Sequence, residues 1–192
     1  MSQPSMKKYL FILGLLLMCA LFAAPAFAAD EIRYNNYNIH VQSKDGVKGN
    51  ASYANYTNPG EGHVVIPPGT ELTITDKSRK SFTFTYDTGQ KTVKYEFHQP
   101  RMAMSLDEYL DKITSKQPPS LDGLSKLDRQ GVAAGRALVG MSREGVMTAL
   151  GYPATHKTPT LEASTWVFWK NRFGTLAVDF DDAGKVKEVR GE

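Results

Sequence analysis

The sequence predicts an α+β protein in two parts: an antiparallel β module, then a unit of short helices packed on a three-stranded antiparallel sheet. Three observations predict it. Residues 71–98 hold three runs of apolar alternation, "ELTITD", "SFTFTYD" and "KTVKYEFH", separated by turn residues. The stretch "GMSREGVMTALGYP", 140–153, contains a helix start, a short helical run and a stop. Such a helix is marginal alone, because nucleation is costly and isolated helices need about 12 to 15 residues in water. It therefore has to lean on a sheet, and "TWVFWKN", "GTLAVDFD" and "KVKEVRG" supply one immediately downstream.

The chain opens with a targeting pattern. Lys7 and Lys8 precede an apolar run from Tyr9 to Phe22, followed by Pro25 and the triplet Ala26, Phe27, Ala28, the order of a secretory signal peptide over 1–28. Cleavage after Ala28 is preferred to a membrane anchor because Pro25 and the small residues interrupt the run. Cys19 follows Met18 rather than a small residue, so it reads as part of the apolar stretch and not as a lipidation site. Removing 28 of 192 residues leaves 164, and losing two lysines and no acid takes the net charge from +3 to +1. An exported chain with no remaining cysteine draws its stability from cores rather than disulfides. Near-balanced charge also argues against a general nucleic-acid binder.

Residues 29–117 read as the β module, ending in a helix. Ile32 to Val41 suggests a strand, weakened by Asn35 and Asn36; residues 46–62, rich in Gly, Asn and Tyr, read as a long exposed loop. Leu72 and Ile74, then Phe82, Phe84 and Tyr86, then Val93, Tyr95 and Phe97 share one face of a meander whose "DTGQ" turn uses Gly89 for a positive φ, and "KSRK", Lys77 to Lys80, reads as a solvated turn. The architecture resembles an SH3-like or other small barrel. In "MSLDEYLDKITSK", Ser105 and Glu108 form a capping box, Met104 and Tyr109 a hydrophobic staple, and Leu106, Tyr109, Leu110 and Ile113 the apolar stripe. Pro118 and Pro119 open a linker, 118–123.

The second domain spans 124–192. Ser142 caps the helix Arg143 to Leu150, Val146, Met147 and Leu150 form its buried edge, and Gly151 and Pro153 end it. Trp166 and Phe168 share one face of the next strand, Val167 and Trp169 the other, and "DDAG" makes the final hairpin turn.

Gly140, Met141, Ser142, Val146, Leu150, Gly151 and Pro153, then Trp166 and Phe168, then Val178, Phe180, Asp181, Gly184 and Val186 follow a recognisable order. It resembles the BamE (SmpA/OmlA) family of outer-membrane assembly proteins, whose helix reads G-M-[ST]-x-x-x-V-x-x-x-L-G-x-P and whose last hairpin reads V-x-F-[DN]-x-x-G-x-[VL]. The resemblance covers roughly the last third of the chain. It implies helices on one face of a three-stranded sheet and a non-enzymatic role in contacting envelope proteins. Two features depart from the family: its members are typically lipoproteins, and the amino-terminal β module is extra.

No catalytic constellation is legible. His40, His63, His98 and His156 are scattered, without H-x-x-x-H, H-E-x-x-H or C-x-x-C spacing, and the mature chain has no G-x-S-x-G or S-x-x-K motif. Asp179, Asp181 and Asp182 divide between a strand face and a turn. We therefore expect no enzyme activity, no catalytic residue, no metal and no cofactor. The partner-binding candidates are Tyr152, His156, Lys157, Trp169, Arg172 and Phe173, which carry aromatic area and donors into and beyond the 152–165 loop. Trp169, facing away from Trp166, is expected on an exposed rim. The expected role is a periplasmic interaction or outer-membrane assembly factor, soluble or peripheral to the outer membrane, with envelope or outer-membrane proteins as partners. An inhibitor-like or peptidoglycan-binding protein is the alternative.

Overall fold

A computed structural model describes residues 31–191, so the expected signal peptide, Cys19 and the cleavage site lie outside the described residues. The chain is mixed α+β. Its first part forms β1 (Glu31–Asn35), β2 (Ile39–Gln42), β3 (Lys48–Ser52), β4 (His63–Ile66), β5 (Glu71–Ser78), β6 (Ser81–Tyr86), β7 (Lys91–Glu96), α1 (Gln99–Met102), α2 (Leu106–Ile113) and β8 (Thr114–Ser115). The strands make one curled sheet in the order β4-β2-β3-β7-β6-β5-β1-β8. Among the described residues, no helix is long and apolar enough to cross a membrane.

Alternation of apolar side chains puts Leu72, Ile74, Phe82, Phe84, Val93 and Tyr95 on the inner face, where all are buried, and α2 closes over them with Tyr109, Leu110 and Ile113. The α2 start is the capping box read from sequence: Ser105 accepts from the Glu108 amide, and Glu108 accepts from the Ser105 amide at 2.7 Å. Tyr95 and Tyr109 share a hydroxyl hydrogen bond of 2.8 Å inside the core, and burial drives both phenols well above their ordinary range. The β6–β7 turn uses Gly89 at φ 83°, with Asp87 and Thr88 also left-handed.

The strand expected over 32–41 is broken into β1 and β2, which pair with different neighbours, and the buried Asn35 ends the first of them. Its amide donates to the Tyr37 and Pro67 carbonyls, each at 2.8 Å, and ties the β4–β5 connection to the end of β1. The 46–62 stretch is a larger departure. It carries β3, which pairs with β7 in parallel, and Ala51 to Asn55 are buried. A parallel partner some 45 residues away leaves no local periodicity, and Gly49 is there because a Cβ would come within 2.3 Å of Val41 Cγ1.

The second part comprises α3 (Lys126–Ala134), α4 (Arg143–Leu150), β9 (Thr165–Trp169), β10 (Thr175–Phe180) and β11 (Val186–Arg190), with sheet order β11-β10-β9. Trp166, Phe168, Leu176, Val178 and Phe180 face the helices, meeting Val146, Ala149 and Leu150 in a second core. Leu121, assigned to the linker from sequence, packs against this core too. Helix α3 was not legible from apolar spacing, yet it has its own capping box, Ser125 with Asp128. Asp128 serves both helices: one carboxylate oxygen accepts from the Ser125 amide and hydroxyl, and the other from the Ser142 amide at 2.7 Å. Burial opposes its charge, but these hydrogen bonds outweigh burial and hold its carboxyl below the usual range. Gly145 lets the helices approach, since a Cβ there would lie 2.2 Å from Asp128 Oδ1.

Leu150 is fully buried where α4 meets the sheet. Leu150→Ala should lower stability by about 2 to 5 kcal/mol in urea or thermal unfolding; a loss below about 1 kcal/mol would mean that α4 does not depend on this packing.

Candidate functional site

The two parts meet around the C-terminal end of α4, whose last carbonyls have no partner within the helix. Met147 O accepts from the Gly151 amide, Thr148 O from the Asn38 amide at 2.8 Å, and Leu150 O from Asn55 Nδ2 at 2.7 Å. Ala149 O accepts from Asn38 Nδ2 and lies 3.0 Å from His40 Nε2. Asn38 Nδ2 also reaches Val132 O at 2.8 Å, in the last turn of α3. The β module thus caps the helices of its neighbour. Gly151, at φ 85°, is required here because a Cβ would fall 2.3 Å from Asn55 Nδ2.

His40 is buried and stacked on His63 with ring centroids 5.2 Å apart, its Nδ1 3.0 Å from His63 Nε2. Donation from His40 Nε2–H to Ala149 leaves Nδ1 to accept from His63. Burial pushes the His40 imidazole down to about 4, the Ala149 carbonyl opposing and His63 reinforcing; burial also lowers His63. Two histidines converge here, and among the described residues no group of three or more metal-type ligands forms.

The sequence-derived candidates separate into three places. Tyr152 is half-buried against the first core with Lys112 Nζ 5.5 Å above its ring, on the α2 side. His156, Lys157 and Trp169 come together. The His156 ring stacks on the indole at 6.3 Å, Lys157 Nζ sits 5.5 Å from its centroid, and the His156 amide donates to Arg101 O. Burial first, then the charges of Arg101, Lys157 and His98, lower the His156 imidazole. Arg172 and Phe173 occupy the β9–β10 turn, where Asn171 Oδ1 accepts from the Phe173 and Gly174 amides and Arg172 Cζ lies 5.2 Å over the Phe173 ring.

Trp169 is not the exposed rim anchor that strand alternation suggested. It is half-buried against the core of the β module, its Nε1 enclosed, and its carbonyl accepts from the Thr57 amide at 3.0 Å while Lys170 O accepts from Asn58. Alternation places Trp169 outside the second core, but the surface it occupies is covered by the first module. Phe173, by contrast, is 88 % exposed. Beside it a shallow cavity of about 350 Å³ is lined by Gln42, Tyr56, Asn58, Asn171 and Arg172.

Residues that sequence reasoning passed over complete this region: Arg101, which donates to the Tyr53 hydroxyl and stands 5.9 Å from that ring, and the capping residues Asn38, His40 and Asn55. The available signal lay in "NNYNIH", where Asn35 and Asn36 read only as a weakness in a strand and Asn38 as part of it. Compared with family models, curated proteins and solved structures, the chain matches none.

Two outcomes follow from this geometry. His40 titrates near 4 when folded and near 6.5 when unfolded, so its neutral form stabilises the fold fully above pH 6.5, and that contribution is lost as pH falls from 6.5 towards 4. Urea titrations at pH 7.5 and 4.5 should differ by about 2.5 kcal/mol from this group, and His40→Gln should flatten the difference. Separately, Trp169→Ala should cost about 2 kcal/mol or more, whereas Arg172→Ala should stay within about 0.5 kcal/mol, measured by thermal melting.

Proposed function

We propose that this is an exported, non-catalytic envelope protein of the BamE-like type, working in the periplasm or at the outer-membrane surface as a protein-interaction or assembly factor. The observation that carries the reading is the rigid presentation of Arg172 and Phe173. The Asn171 turn fixes the backbone, the guanidinium lies over the ring, and the ring itself faces solvent. Arginine and large aromatics dominate binding energy at protein interfaces, and a preformed pair loses little freedom on docking.

The perturbed acids favour a scaffold over a catalyst. Hydrogen bonds from Arg190 and from the Thr165 hydroxyl, each at 2.6 Å, hold Asp179 at about 2, and Asp128 is committed to helix caps. The short α4 packed on β9–β11, with Gly151 and Pro153 at its end, agrees with the family motif quoted from the sequence.

The inhibitor-like or cell-wall-binding alternative draws on one feature, the β4 edge of the large sheet, where His63 and Val64 are exposed and a secreted enzyme or peptidoglycan peptide could pair.

In the native host, mass spectrometry of the mature chain should find Ala29 at its N-terminus, and mild cross-linking should retain it with outer-membrane proteins in a manner lost on Phe173→Ala. Retention on purified sacculi instead would favour the alternative. Recovery of the unprocessed chain from the cytoplasm would remove the proposal.

A further inference from the structure

We propose that the exposed surface running from the β5–β6 turn through Arg101 to the β9–β10 turn docks an acidic polypeptide segment of a partner, an inference that rests on the protein-interaction reading above.

Five exposed cations, Arg79, Lys80, Arg101, Lys157 and Arg172, border the surface. At one end Arg79 and Lys80 line a shallow cavity of about 550 Å³ with Glu96, Phe97 and His98, and Lys80 O accepts from the Phe97 amide. At the other end is the cavity bordered by Tyr56, Arg172 and Phe173. Arg101 joins them. Its side chain holds Tyr53, its carbonyl holds His156, and its charge reaches the His156 imidazole together with those of Lys157 and His98. Burial first, then Tyr53 and Glu96, raise the Tyr56 phenol, and Arg101 and Arg172 oppose them.

Arg79, Lys80, Arg101, Lys157 and Arg172 are all exposed, and among the described residues none forms an ion pair, whereas Arg33, Lys77, Lys91 and Arg190 each do. Glu96 is the carboxylate lining the cavity beside Arg79 and Lys80. Unpaired cations that share a surface gain from a bound anion, which offsets their mutual repulsion.

The aromatic rings decide which polyanion fits. The Trp169 ring has His156 stacked on it and Lys157 above it, and Tyr53 is packed by Arg101 and His98. Single-stranded nucleic acids need free ring faces on which successive bases stack, and these rings hold side chains instead. An anionic bilayer would need an apolar face to enter it, and Phe173 alone protrudes here. What remains is a partner with spaced carboxylates for the cations and one apolar side chain for the hollow beside Phe173. An acidic peptide segment has both.

The test is fluorescence anisotropy with a fluorescein-labelled glutamate-rich peptide carrying one central phenylalanine. Binding should weaken as salt rises, and Lys157→Gln with Arg172→Gln should weaken it by about tenfold, with thermal melting confirming that this double variant is folded. The control Lys126→Gln with Lys187→Gln removes the same charge elsewhere and should stay within about twofold. Absence of binding, equal loss in both double variants, or tighter binding of a single-stranded oligonucleotide or of anionic phospholipid vesicles would overturn the proposal. If the peptide fails while outer-membrane proteins still co-isolate, the acidic partner is wrong and the interaction reading stands. If the peptide binds at this surface while the chain stays unprocessed in the cytoplasm, the docking surface stands and the envelope reading falls.

Discussion

The last turn of α4 ends in carbonyls that its own helix cannot satisfy, and Asn38, His40 and Asn55 of the neighbouring β module satisfy them. Burying such carbonyls without partners costs on the order of 1–3 kcal/mol each, so the short helix is completed only when the module is in place. The dependence runs the other way as well. Asn38 is a buried amide whose side-chain donor is used on the carbonyls of Val132 and Ala149, and Asn55 divides its donor between Leu150 O and Asn38 O of its own module. Two small cores are thereby coupled through polar groups rather than through a shared apolar interface alone.

Around that joint the loop following α4 takes its shape. Gly151 turns the chain beside Asn55, Pro153 and Ala154 are buried, and the loop leads His156 to the carbonyl of Arg101. Trp169 then closes the far side, seated on the first core while Thr57 and Asn58 bond to the end of β9. Because both flanks of the candidate surface are anchored in this way, its exposed cations project from a fixed frame. The rings beneath Arg101 and Lys157 hold their charged heads in place, and packing of their stems lowers the entropy lost on docking. A surface meant for recognition gains selectivity from such order, because wrong partners cannot rearrange it to suit themselves.

The charge distribution supports a division of labour within the molecule. Arg33, buried against Glu31 and Asp111 with Thr114 as a further partner, stitches α2 and β8 to β1, and Arg190 with Asp179 ties β11 to β10. These cations are committed to structure. Those of the 79–172 surface form no ion pair among the described residues, although Arg101 is held by the Tyr53 hydroxyl and Arg172 lies over the Phe173 ring.

Local chemistry determined much of this protein. Alternating Phe82, Phe84, Val93 and Tyr95 define their strands, Ser105 with Glu108 and Ser142 define helix starts, and Trp166 with Phe168 define the buried face of β9, because periodicity and capping act within a few residues. Helix α3 escaped because its apolar positions are sparse, although Ser125 and Asp128 had announced it. The parallel strand β3 escaped because its partner is distant and its glycine and asparagines mimic a loop. Of the candidate surface, composition picked out His156, Lys157, Arg172 and Phe173, but not the arginine that joins them to the rest. Whether Trp169 is a rim or a seat, whether Asn38 sits within a strand or caps a helix, and whether Arg101 stands alone or at the centre of a surface were decided only by the docking of the two modules. Each depends on groups brought together from some 55 to 112 residues apart, a separation over which sequence pattern carries no information about contact.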